Sequence, residues 1–91
     1  MIIIGEKING AIPAVREAIE TRNPDEIKRR AVIQAEAGAH FIDCAPSTAP
    51  ELEYDAMIWL IQQIKEVTEL PICIDSPNAK LLARIIEEDV L

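Results

Sequence analysis

Aromatic residues are scarce, with one Phe, one Trp and one Tyr in 91 residues. Phe41, Tyr54 and Trp59 are too few and too scattered for a base-stacking surface, so core and helix packing are their expected roles. The single histidine, His40, has no His or carboxylate partner at ligand spacing, and the two cysteines, Cys44 and Cys73, are not in a metal-ligand spacing either. No metal site is read from the sequence. Both thiols fall within strand-like runs, where cysteine serves as a small apolar residue, and both are expected to be reduced. No apolar stretch approaches the ~18 residues that cross a bilayer, and MIII breaks into Gly5-Glu6-Lys7 before a signal-peptide core is complete. The chain is therefore read as cytoplasmic and not membrane-bound. Basic residues are outnumbered, nine Lys and Arg against sixteen Asp and Glu, and the formal charge of -7 opposes nonspecific attraction to nucleic acid or to an anionic membrane surface. The one basic cluster, Lys28, Arg29 and Arg30, is answered by Asp25 and Glu26 on a helical pattern and is read as a solvated face. With no GxGxxG and no P-loop lysine pattern, nucleotide binding loses its usual support.

What is present is 49% hydrophobic and 27% charged sequence, the composition of one small globular domain spanning residues 1–91. Ile2 to Ile4 is β-branched and turns polar at Glu6, which suggests a first strand closed by the loop signal Asn9-Gly10. A helix starts at Pro13, pauses at Thr21-Arg22, and restarts at Asn23-Pro24-Asp25-Glu26. There Asn23 can cap, Pro24 takes the first helical position, and Glu26 has capping-box spacing. Gly38 can close this helix in the left-handed conformation. His40 to Cys44 forms the second expected strand, followed by the loop APSTAP. Residues 51 to 69 carry an apolar stripe of Ala56, Met57, Leu60, Ile61, Ile64 and Val67, with Glu53, Gln62, Gln63 and Glu66 placed off it. Leu70-Pro71 ends that helix, Ile72 to Ile74 forms a third strand, and a last helix is expected from Asn78 to Leu91.

The order is strand, helix, strand, helix, strand, helix, and the continuous apolar strands fit a parallel α/β sheet covered on both faces. Glu6, Asp43 and Asp75 each sit at the carboxyl end of an expected strand, 37 and 32 residues apart, close to the length of one βα unit. In a parallel sheet or barrel the carboxyl edge is where ligands bind, so a shared crevice is one reading; capping of loops or following helices is the other.

The motifs GEKING, QAEAGAHFIDC, AMIWL and LPICIDSPN, in this order and spacing, resemble the amino-terminal part of the pterin-binding methyltransferases. More narrowly, they resemble the methyltetrahydrofolate:corrinoid-protein methyltransferases, and the resemblance covers essentially the whole chain. It implies a (βα)8 TIM barrel, dihydropteroate synthase-like, of which these residues supply three βα units as the amino-terminal part of one barrel domain. It further implies transfer of a methyl group between N5 of methyltetrahydrofolate and the cobalt of a corrinoid protein, with the cobalamin carried by that partner. Asp75 matches the family aspartate that contacts the pterin ring, and Ser76 and Asn78 follow in the same loop. Glu6 and Asn9 match the first-strand motif at the barrel mouth, and Asp43 matches the second-strand aspartate. The chain departs from the family at Asp43-Cys44-Ala45, where the amide that usually follows the aspartate is missing. No residue is identified as catalytic, and these 91 residues alone are expected to turn over no substrate. Open sheet edges lead to an expectation of self-association. The alternative functions are a non-catalytic oligomerising or pterin-binding module and an enzyme resembling dihydropteroate synthase.

Overall fold

The computed structural model describes residues 1–91. Its elements are β1 (Ile4–Asn9), α1 (Pro13–Thr21), α2 (Pro24–Glu36), β2 (Phe41–Ala45), α3 (Pro50–Val67), β3 (Ile72–Ile74) and α4 (Ala79–Glu87). The three strands form one parallel sheet in the order β1-β2-β3, so β2 is central and both outer strands keep a free edge. A radius of gyration of 12.1 Å matches the value of about 12 Å expected for a compact chain of this length.

Each helix start has a legible local cause. Pro13, Pro24 and Pro50 occupy first helical positions, where a missing N–H costs nothing. The Asn23 side chain accepts from the Asp25 N–H at 3.1 Å, and the Asn78 side chain accepts from the Lys80 and Leu81 N–H groups. Gly38, at φ +97°, follows the end of α2 in the left-handed region. The reciprocal half of the expected capping box is not made: Glu26 turns to Arg29 and Arg30 instead, at 2.6 and 2.8 Å. Lys28 reaches across to Glu66 of α3 at 3.2 Å.

The core lies between the helices and one face of the sheet. Ile8, Ile42 and Cys44 project from the strands to meet Val15, Ile19, Ile27, Met57, Leu60, Ile64 and Ile85, all buried. The opposite face carries no helix, so within these residues the strands are covered on one side only. That corrects the two-sided covering expected from the apolar strands.

Three further boundaries differ from expectation. The first strand runs from Ile4 to Asn9, not from Ile2 to Ile4, and so includes Glu6. Ile2, Ile3 and Ile4 are 70, 44 and 47% exposed, so the apolar run lies largely outside the core that it was expected to build. β2 is displaced by one residue, because His40 pairs outside the ladder: its backbone N–H donates to the Ile3 carbonyl, and its Nδ1 accepts from the Ile3 N–H. α4 stops at Glu87, and Asp89 takes a left-handed conformation at φ 53°. The two cysteines lie on opposite faces of the sheet, since Cys44 pairs with Ile74 and Asp43 with Cys73, and both thiols are free. Cys44 is fully buried with its Sγ 3.6 Å from Met57 Sδ.

Candidate functional site

The strands converge on a cavity at their carboxyl ends. It has a volume of about 490 Å³ and is lined by Asn9, Ala45, Ser47, Thr48, Pro50, Glu53, Asp75, Pro77 and Asn78. Each strand or the loop after it contributes, as a parallel arrangement dictates.

Asn9 ends β1 and pairs in register with Ala45 of β2. Its Oδ1 accepts from the Ala11 N–H and from Ser47 Oγ, both at 2.9 Å, so its Nδ2 is left to donate. Ser47 is held at φ 48°, a left-handed conformation rare for a residue with a side chain, and its hydroxyl bond to Asn9 ties the first loop to the second. The same two loops meet at Gly10, whose N–H donates to the Ala45 carbonyl at 2.8 Å. A Cβ on Gly10 would lie 1.8 Å from the Pro46 carbonyl oxygen, so only glycine permits this approach.

On the third strand, the Asp75 N–H extends the ladder to the Cys44 carbonyl at 2.9 Å, which carries the exposed Asp75 carboxylate to the cavity. Ser76 Oγ donates to Glu53 Oε2 at 2.6 Å and accepts from the Asn78 N–H at 3.0 Å. Asn78 Oδ1 is consumed by capping α4, which again leaves an Nδ2 donor. The cavity therefore presents amide donors from Asn9 and Asn78 beside the Asp75 acceptor.

Glu6 and Asp43 do not line this cavity. They lie on the open face of the sheet beside it, and a β-bulge puts Glu6 there. Gly5 pairs with Ile42 and Ile8 with Cys44, so two residues, Glu6 and Lys7, oppose Asp43 alone. Helix α2 holds the bulge: the Lys7 N–H donates to Gln34 Oε1 at 3.0 Å, and the Lys7 carbonyl accepts from Arg30 at 3.1 Å. Burial raises the Asp43 carboxyl above the usual carboxylate range, and the negative charges of Asp75 and Glu6 raise it further. This effect on Asp43 agrees with the strand register, which puts the three acids on one side of the sheet.

The site residues read from the sequence thus divide. Asn9, Asp75 and Asn78 line the cavity, Ser76 braces its wall, and Glu6 and Asp43 flank it. Ser47, Thr48 and Glu53 were missed. Ser47 and Thr48 had a signal, since they follow β2 directly at the ligand-binding edge. Glu53 was placed off the apolar stripe of α3, yet it is only 4% exposed, and Gln63 is 8% exposed. The spacing of Glu53, Met57, Leu60 and Ile64 follows one helical face, so a carboxylate at a core position was the overlooked clue.

No family model matches the sequence. Among curated proteins, the chain is 49% identical over 85 residues to methylcorrinoid:tetrahydrofolate methyltransferase of Eubacterium limosum. The alignment covers 93% of this chain and 31% of that relative. The chain matches a segment of that methyltransferase family. The resemblance carried by GEKING, QAEAGAHFIDC, AMIWL and LPICIDSPN is thereby borne out, and the α/β fold with three parallel strands and four helices is consistent with part of a βα barrel. The chain spans about a third of the length of the relative it matches. No helix is long and apolar enough to cross a membrane.

Proposed function

We propose that this chain supplies the first part of the pterin site of a methyltransferase that moves a methyl group between N5 of tetrahydrofolate and the cobalt of a corrinoid protein. The observation that carries the proposal is the cavity at the strand ends, with Asp75, Asn9 and Asn78 on its wall. Its volume of about 490 Å³ falls within the range of small-molecule sites, roughly 300–1,000 Å³. The polar groups suit a pterin, whose ring N–H and amino groups need an acceptor and whose ring nitrogens and carbonyl need donors. Asp75 supplies the acceptor and the two asparagine amides supply the donors. Support for the reaction comes from the relative, whose name describes transfer between methylcorrinoid and tetrahydrofolate.

The chemistry constrains what the rest of the site must do. In the direction that removes the methyl group, a neutral tertiary amine at N5 is a poor leaving group, so N5 must gain a proton or strong hydrogen bonding as the bond breaks. In the opposite direction N5 releases that proton after it has taken the methyl group. The residues of this chain recognise and orient the ring; none is assigned to the proton. The complete fold in this reading is a (βα)8 barrel whose further strands close over the open sheet face, with residues 1–91 within one barrel domain.

Titration of tetrahydrofolate into the 91-residue chain by calorimetry tests the reading. Removing a charged hydrogen-bonding partner is worth about 1.5–3 kcal/mol, so Asp75→Ala should weaken binding roughly tenfold to a hundredfold. Unchanged binding in Asp75→Ala would sink the assignment. Light scattering on the same sample tests a second property, self-association of this chain. The free edges of β1 and β3 and the exposed Ile2, Ile3 and Ile4 favour pairing with another copy, and a defined oligomer is expected rather than a monomer.

A further inference from the structure

We infer that Glu53 is a positioning residue for this cavity: through Ser76 it orders the Asp75 to Asn78 loop, and so sets the affinity of the site. The inference rests on the pterin reading for the identity of the ligand.

Glu53 occupies a place where the fold would accept a leucine. It lies on the buried stripe of α3, 4% exposed, in line with Met57, Leu60 and Ile64. Keeping a carboxyl group in such surroundings is unfavourable unless its hydrogen bonds are satisfied. Part of that cost is offset by its place in the first turn of α3, where the helix dipole favours an acid. The rest of its environment is functional in character. Glu53 lines the same cavity as Asp75 and Asn78, and the hydrogen bond it makes within the chain is to Ser76.

That bond fixes a direction. A serine hydroxyl has one proton to donate, and committing it to Glu53 Oε2 turns the oxygen lone pairs toward the Asn78 N–H. Asn78 in turn commits its Oδ1 to the Lys80 and Leu81 N–H groups, which fixes its amide orientation and leaves Nδ2 as the group presented to a ligand. The chain of contacts therefore runs from α3, through Ser76, to the start of α4, and brackets Asp75. An apolar side chain at position 53 would release the Ser76 hydroxyl to rotate, and would loosen the loop without exposing any core surface.

A purely structural role and a positioning role differ in sign. Glu53→Leu should hold or raise the melting temperature, because it replaces a buried acid on an apolar stripe, and yet should weaken tetrahydrofolate binding about tenfold, the lower end of the range for losing a hydrogen bond to a charged group, because the bond lost orders the loop and does not itself touch the ligand. Hydrogen exchange at the Asn78 amide should accelerate by a similar factor. Glu53→Gln, which still offers an acceptor oxygen to Ser76, should restore both properties most of the way, and Ser76→Ala should reproduce the losses of binding and of Asn78 protection, with a lower melting temperature because it leaves the buried Glu53 carboxyl without its partner. Calorimetry, amide exchange and thermal melting on the wild-type chain and these three variants decide the matter, and Ser76→Ala serves even where Glu53→Leu folds poorly. A wild-type chain that takes up no tetrahydrofolate overturns the pterin reading. A wild-type chain that binds, while Ser76→Ala binds equally well and keeps its Asn78 protection, overturns the role of Glu53 alone.

Discussion

Adding one methyl group at Gly10 tests whether the contact between the first two loops is as close as the structure makes it. The new Cβ would stand 1.8 Å from the Pro46 carbonyl oxygen and 2.7 Å from its carbon, against the roughly 3.5 Å of ordinary van der Waals contact, so the loops must part by roughly 1.5 Å. Backbone cannot rotate away as a side-chain tip could. Parting removes the bond from the Gly10 N–H to the Ala45 carbonyl and strains the one from Ser47 to Asn9. Overpacking of this kind costs about 1–3 kcal/mol and a lost hydrogen bond about 1 kcal/mol more, roughly 2–4 kcal/mol together. For a domain of this size each kcal/mol lowers the melting point by about 4–8 °C, so Gly10→Ala should melt roughly 8–32 °C below wild type by circular dichroism. Gly38→Ala is the control. Its Cβ meets nothing within 4 Å, and the penalty there comes only from a left-handed φ of +97°, about 1–2 kcal/mol. A Gly10→Ala protein that melts within ~3 °C of wild type, or above Gly38→Ala, would refute the close approach.

The raised carboxyl of Asp43 makes a prediction with a definite sign. The folded state holds this proton more tightly than the unfolded chain, so stability falls as pH rises from the unfolded carboxylate value near ~3.9 through the folded one. Asp43→Asn removes the penalty, and its melting temperature should exceed that of wild type at pH 7 by a margin that closes as the pH falls toward 3; equal melting points at pH 7 would contradict the shared acidic face. Thiol labelling separates the cysteines. Burial and then the charge of Asp43 push the Cys44 thiol far above its ordinary range, so a thiol reagent should modify Cys73 in the native protein and reach Cys44 only in denaturant. Rapid native labelling of both would show that the sheet opens on the labelling timescale.

Much of the chain could be read from local signals. Proline and asparagine marked the helix starts at Pro13, Asn23 and Asn78, because a missing N–H or a capping oxygen acts within one turn. The stripe Ala56, Met57, Leu60, Ile61 and Ile64 gave the buried face of α3, since a period of 3.6 residues survives wherever one side meets a core. Asp75 at the end of β3 was legible for a similar reason: an acid after an apolar run stands out against the propensity of its neighbours. Reading failed where a residue's setting depends on a distant element. Ile2 to Ile4 are apolar but exposed, while Gly5 and Ile8, three apart, face the helices because the bulge is held by Gln34 and Arg30 from another part of the chain.

The sequence by itself determined the order of strands and helices, the parallel character of the sheet and the set of acids brought to one side of it. These follow from periodicity, caps and turn residues, all of which act over a few positions. The tertiary structure decided which of those acids lines the cavity. The bulge puts Glu6 beside Asp43 on the open face, the ladder from Cys44 carries Asp75 to the cavity, and the turn of α3 brings Glu53 under Ser76. Each of these depends on a contact between residues 23 or more positions apart in the chain, where no local pattern can specify the partner.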